Sequence, residues 1–225
     1  MVQSVRPPVD PVPGVPGESR GERKERTRRQ ILDAALELCE DSSLVALSLR
    51  QVAKQVGIVP TAFYRHFDSI EDLGLALVEE SFVSLRAMLR DVRRSNPTYR
   101  TIIDSSVRVL AEHTAAQHSH FAFISRERVA GPLAVREAIR HQIDLVEREL
   151  ATDLARLTDP AHWSTEDLRV LSNLIVTLMV GATESIVNAR PETRPEILET
   201  ARTQLRMMLV GALQWSSRQA GATAP

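Results

Sequence analysis

Apolar residues recur every three or four positions almost to the C-terminus, and no segment sustains the two-residue alternation of a half-buried strand. A chain patterned this way has only helix faces to bury, so its fold class is all-α. Proline and glycine cut the pattern into lengths. Asn96-Pro97, Gly131-Pro132, Asp159-Pro160 and Arg190-Pro191, with Pro195 nearby, mark breaks, because a residue before proline avoids helical geometry. The spacing predicts helices from Glu22 to Glu40, Ser48 to Val56, Val59 to Phe67 and Ile70 to Arg94. Five more follow, from Pro97 to Gln117, Ser119 to Val129, Leu133 to Leu157, Thr165 to Ala189 and Arg194 to Arg218.

The second and third helices are too short to be stable alone. Leu49, Val52, Ala53 and Val56 give the second an apolar face, Ser48 is placed to cap it, and Gly57 suits a sharp reversal. Ile58, Phe63 and Phe67 then pin the third against its neighbours, leaving Thr61, Tyr64, Arg65 and His66 outward or along the edge. This is the plan of a helix-turn-helix with the third helix as reader, since a major groove admits one α-helix. Pro60 fits the first turn, Arg50 reaches for a guanine or a phosphate, and Tyr64 and His66 are candidate phosphate donors. The formal net charge is -1, so any basic surface has to be local. It lies just upstream in RGERKERTRR, six basic residues against two glutamates, where Arg26, Arg28 and Arg29 are placed to follow a DNA backbone.

These segments divide the chain into a Pro- and Gly-rich leader at 1–21, expected to be disordered, a helix-turn-helix unit at 22–68, and a larger helical domain at 69–225. Cys39 is the lone cysteine and falls with Ile31 and Ala35 on an apolar helix face, as a buried thiol would. The longest apolar stretch, LSNLIVTLMVGATESIV, is interrupted by Asn173 and Glu184 and falls short of a membrane span, so the expected location is the cytoplasm. His113, His118 and His120 do not share the spacing of a zinc site, and neither a hydrolase elbow nor a dinucleotide fingerprint occurs, so no metal, cofactor or enzymatic activity is expected. A purely oligomeric scaffold is the remaining alternative; specific DNA retention at moderate salt separates it from a DNA reader.

The run S-L-R-Q-V-A leading to G-I, then F-Y-R-H-F and an acidic, leucine-containing helix, resembles the TetR family of repressors. The resemblance implies base or phosphate contacts for Arg50, Tyr64 and His66, and an approach to the groove at Pro60 and Ala62. Val59 stands where many members have a small polar residue and Ile70 where many have a phosphate-binding lysine, so those two contacts do not carry over. EDLGLALVEES and the later Arg126-Glu127-Arg128 are further similar to the FabR/DesT branch, which governs fatty-acid synthesis and desaturation.

What the branch implies is a homodimer on an inverted-repeat operator in double-stranded DNA, responsive to a long-chain acyl-CoA or related thioester. Control of an efflux or catabolic operon by another hydrophobic small molecule stays open beside it. For a ligand-binding and dimerisation domain, Phe121, Phe123, Ile124, Ile139 and Ile143 are candidate apolar pocket residues. Arg126 and Arg128 are candidates to hold an anionic effector group, or else to bond acidic residues of the first or fourth helix. Leu198, Leu205, Leu209 and Ala212 with Met208, and the small stripe Thr177, Gly181 and Ser185, are the expected dimer faces.

Overall fold

The structure, a computed structural model, describes residues 19–94, 101–157 and 163–217. Nearly all of the leader, the start of the fifth predicted helix and the end of the ninth lie outside these residues. Within them the chain is all-helical: α1 Arg20–Asp41, α2 Leu49–Val56, α3 Pro60–Phe63, α4 Ile70–Arg94, α5 Ile102–Ala116, α6 His118–Ala130, α7 Leu133–Leu157, α8 Thr165–Asn188 and α9 Arg194–Leu213. Single 3₁₀ turns at Leu44–Ala46 and Pro191–Thr193 precede α2 and α9.

Local chemistry sets the ends. Ser19 and Glu22 form a reciprocal capping box that starts α1, and Ser48 and Gln51 form another at α2. Ser164 caps α8 by accepting from the Asp167 amide. Gly57 ends α2 at φ 74°, the left-handed conformation that a β-carbon makes costly. The reader is shorter than predicted. Only Pro60–Phe63 is α-helical, because the Arg65 and His66 amides bond to the Ala62 and Phe63 carbonyls, three residues back, and tighten the following turn into 3₁₀ geometry.

Two apolar cores organise the packing. The first joins Ile31, Ala35 and Cys39 of α1 to Val52, Phe63, Phe67, Leu73, Leu77 and Phe82, and also takes in Phe123 of α6 and Val135 and Ile139 of α7. The N-terminal unit therefore shares its core with residues of α6 and α7. The second core lies between α4, α5, α6, α8 and α9, around Met88, Val107, Leu110, Phe121, Ala182, Ile186 and Leu205. Gly74 of α4 packs closely in the first core: a β-carbon there would run into Leu44 and come within 3.1 Å of Val135. Among the described residues α8 alone is long and apolar enough to cross a membrane; here it packs against α6, α7 and α9.

Candidate nucleic-acid interface and effector cavity

The short helices present one polar surface. Phe63 and Phe67 are buried with ring centroids 5.7 Å apart, and they hold the reader by its back. Arg50, Thr61, Tyr64 and Arg65 are exposed, as are Ser48 and Pro60, while Ala62 is half-buried. Tyr64 stands edge-on to Phe63 with 59% of its surface open, which leaves its hydroxyl available. Ser48 is engaged as the α2 cap, accepting from the Gln51 amide at 3.2 Å. Neither Arg50 nor Arg65 has an ion-pair partner among the described residues.

Three residues of this set are held or enclosed within the folded chain. Arg28 donates to the His66 carbonyl at 3.1 Å and lies 4.3 Å from the centre of the Phe67 ring, so it bolts α1 to the reader turn and does not hang free as an arm. Arg29 pairs with Asp33 at 3.1 Å and with Glu80 of α4 at 2.6 Å, because the helical phase of α1 turns it toward acidic neighbours. His66 is half-buried with its Nδ1 enclosed and without a partner, so only part of its ring reaches the surface. Burial first, then the charges of Lys24, Arg28 and Arg65, hold its pKa below the ordinary histidine value. That convergence marks Lys24, absent from the predicted set, as part of the basic surface; Arg26 is half-buried on the same helix.

A cavity of about 70 Å³ lies between α4, α6, α7 and α8. Phe82 and Leu85 come from α4, Phe121 and Ile124 from α6, Ile143 from α7 and Val180 from α8, with Ser81, His120, Ser125, Arg128 and Thr183 as its polar members. Of the predicted ligand residues, Phe121, Ile124, Arg128 and Ile143 meet here. Phe123 and Ile139 do not: both are fully buried in the first core, facing α1 and α4. The contributions of α4 and α8 were missed, because a stripe that lines a small void reads in the sequence as ordinary core.

Arg126, Glu127 and Arg128 fasten α6 to three different elements. Arg126 donates to the Glu40 carbonyl at 2.8 Å, the Ser42 carbonyl at 2.7 Å and the Cys39 carbonyl, closing the end of α1, whose last turn has no basic residue of its own. It is not a ligand for an anionic effector in this arrangement. Glu127 is fully buried and accepts from the Leu44 amide at 2.9 Å, and burial is the main reason its pKa is raised. Arg128 donates to Glu184 of α8 at 2.6 Å, which neutralises the charge expected to hold an anion. His113 bonds to Asp91, His118 to the Val187 carbonyl and His120 to Ser81, so the three histidines have separate partners.

On α8, Thr177, Gly181 and Ser185 form an exposed small-residue line. The apolar stripe of α9 turns the other way: Leu205 is buried and Leu198 packs against the second core of the same chain. The open face of α9 includes Thr200, Thr203, Gln204, Met207 and Gly211, while Met208, Leu209 and Ala212 are half-buried.

Residues 31–77 match the family of bacterial regulatory proteins of the tetR type. The fold is similar to that of a TetR transcriptional regulator from Legionella pneumophila, at 18% identity and TM-score 0.61, over 86% of this chain and 98% of that one. It is also similar to the fatty acid degradation regulator FadR from Bacillus halodurans, at 16% identity and TM-score 0.65, over 82% of this chain and 95% of that one. FadR from Bacillus subtilis, in complex with stearoyl-CoA, matches at 16% identity and TM-score 0.62, over 81% of this chain and 98% of that one.

Proposed function

We propose that this chain is a TetR-type transcriptional regulator, a homodimeric repressor of fatty-acid synthesis or desaturase genes whose DNA affinity is set by a long-chain acyl-CoA or a related acyl thioester; the family match over residues 31–77 supports the regulator class. The observation that carries this reading is the course of α4. It begins at Ile70, three residues after the buried Phe67 of the reader unit, and its Ser81, Phe82 and Leu85 line the apolar cavity. Whatever parts the cavity walls must push on the helix that holds the reader.

A volume of about 70 Å³ is small beside the roughly 300–1,000 Å³ of pockets that enclose drug-sized ligands. A long acyl chain therefore has to separate α4 from α6 and α8 as it enters, and its binding energy goes into that one arrangement. A ligand acts on the DNA equilibrium only through such a difference between arrangements. In this reading Arg50, Thr61, Tyr64 and Arg65 contact the operator, Lys24 supports the backbone contact, and the exposed small stripe of α8 with the open face of α9 forms the dimer. The stearoyl-CoA in a protein of the same fold supports the acyl class of ligand, and the reader-helix resemblance supports the choice of target genes.

The test is to recover the genomic sites that the protein binds, then titrate binding to one of them with acyl-CoAs of increasing chain length and with CoA alone. Long chains should change operator affinity several-fold or more, a coupling of roughly 1 to 3 kcal/mol, and CoA alone should do little. A flat response at every length would overturn the acyl reading and leave a TetR-type regulator of another ligand.

A further inference from the structure

Val59 opens the reader, and it is an exposed valine on a polar surface. Its backbone is extended, with φ -72° and ψ 144°, and its carbonyl accepts from the Ala62 amide at 2.8 Å to start the first turn. A residue in this place ordinarily supplies a side-chain oxygen to a free amide, and valine is among the poorest choices for it. α3 accordingly has no side-chain cap, whereas Ser19, Ser48 and Ser164 cap α1, α2 and α8. The branched side chain gains little inside the fold in return, since 65% of the residue's surface stays open.

Val45 and Val129 are as open, so exposure alone does not single Val59 out. Its surroundings do. Pro60, which has no amide hydrogen, follows it at the surface, and Arg50, Thr61, Tyr64 and Arg65 are exposed on and beside the same short helices. An apolar edge set among hydrogen-bonding and cationic groups breaks a local rule, and such breaks collect at functional sites.

The first residues of a recognition helix are those that meet base edges in a major groove. The side chain of valine can neither donate nor accept a hydrogen bond there. What it can match is the C5-methyl of thymine, the apolar feature that the bases present in that groove. Against a G·C pair the same side chain would cover a cytosine amino group or guanine acceptors and give them no partner, which is unfavourable. Resting on the regulator reading above and going beyond it to a base, we infer that Val59 reads a thymine methyl in each operator half-site and disfavours a G·C pair at that step.

The test uses the full-length protein and an operator recovered from the genome. Each thymine of a half-site is replaced in turn by deoxyuridine, which removes the methyl and keeps every hydrogen-bonding group, and then by a G·C pair. At one thymine, deoxyuridine should weaken binding by the parent about fourfold, the worth of one methyl group withdrawn from water, and about tenfold or more when both half-sites carry it. A G·C pair at that position should cost more than deoxyuridine. Val59→Ser supplies the missing cap and should fold at least as well as the parent, yet it should bind thymine and deoxyuridine at that position alike.

Specific binding by the parent with a flat deoxyuridine scan would overturn this inference and leave the regulator standing. A deoxyuridine effect that persists undiminished in Val59→Ser would assign the methyl to another side chain or to the shape of the duplex, and would overturn it equally. Failure of the parent to prefer any genomic site over random duplex would overturn the regulator reading along with it.

Discussion

Arg28 of α1 donates to the carbonyl of His66 at 3.1 Å while its guanidinium covers the face of Phe67 at 4.3 Å. One side chain thus ties the basic helix to the turn that ends the reader. Arg28→Ala should lower global stability by about 1.5 to 3 kcal/mol through the lost charged hydrogen bond and ring contact. Arg50→Ala, on the exposed face, should stay within about 0.5 kcal/mol of the parent. Urea unfolding of the two variants decides; equal stabilities would show the Arg28 contacts to be dispensable.

Operator binding should sort the same residues the other way. Arg50→Ala and Tyr64→Phe should each cost roughly 1 to 3 kcal/mol of specific affinity with the fold intact. Lys24→Ala should weaken binding to all sequences alike and reduce the salt slope by about 1. Fluorescence anisotropy on operator and scrambled duplexes at several salt concentrations separates the two patterns, and parental affinity in both reader variants would remove α3 from the interface.

Gly181 sits on the exposed α8 line, and a β-carbon built there meets nothing within 4 Å. Gly181→Asp should therefore leave the monomer fold alone while placing a charge in the dimer face, giving folded monomers with poor DNA affinity. Sedimentation velocity that still shows dimers would move the interface to another face.

Ile143 is the α7 wall of the cavity. Ile143→Trp should fill the small void and abolish the response to long-chain acyl-CoA, at an overpacking cost of about 1 to 3 kcal/mol, and leave DNA binding by the unliganded protein in place. A persisting acyl-CoA response would put the ligand elsewhere.

Burial pushes the Cys39 thiol up to about 12, with Glu127 reinforcing and Arg126 opposing. The unfolded thiol ionises near its ordinary value of 9.0, so between about 9 and 12 the unfolded chain has lost a proton that the folded one keeps. Stability is unaffected by this group below that window and should fall through it, by up to about 1.4 kcal/mol per pH unit. Unfolding free energies of the parent and Cys39→Ala, compared at pH 8 and above 9.5, should diverge with the parent losing more; parallel curves would contradict the burial.

The helix boundaries near Gly57, Pro60, Gly131 and Arg190 were legible in the sequence because they depend on backbone chemistry confined to a few residues. The outward placing of Arg50 and Tyr64 was legible for a related reason: the apolar face of a short helix leaves few other directions. Arg28, Arg29 and Arg126 were not legible. Their partners lie on other helices, at carbonyls or carboxylates that any long cationic side chain can reach, and only the packing of α1 against α4, α6 and the reader chooses among them. The cavity was half legible, since Phe121 and Phe123 occur two residues apart with equal hydropathy, yet one lines the void and the other sits in the core with Ile139.

The close approach at Gly74 seats α4 directly on Leu44 and Val135. Eleven residues separate it from Leu85 at the cavity, a lever of about 16 Å at the helical rise. In the proposed reading a wall displacement of about 1 Å at Leu85 is a tilt of α4 of about 3 to 4°, and the core that joins Leu73 and Leu77 to Phe63 and Phe67 is the path by which it would reach the reader. A larger residue at position 74 would press on Leu44 and Val135 and should change the seating of α4 beneath the reader.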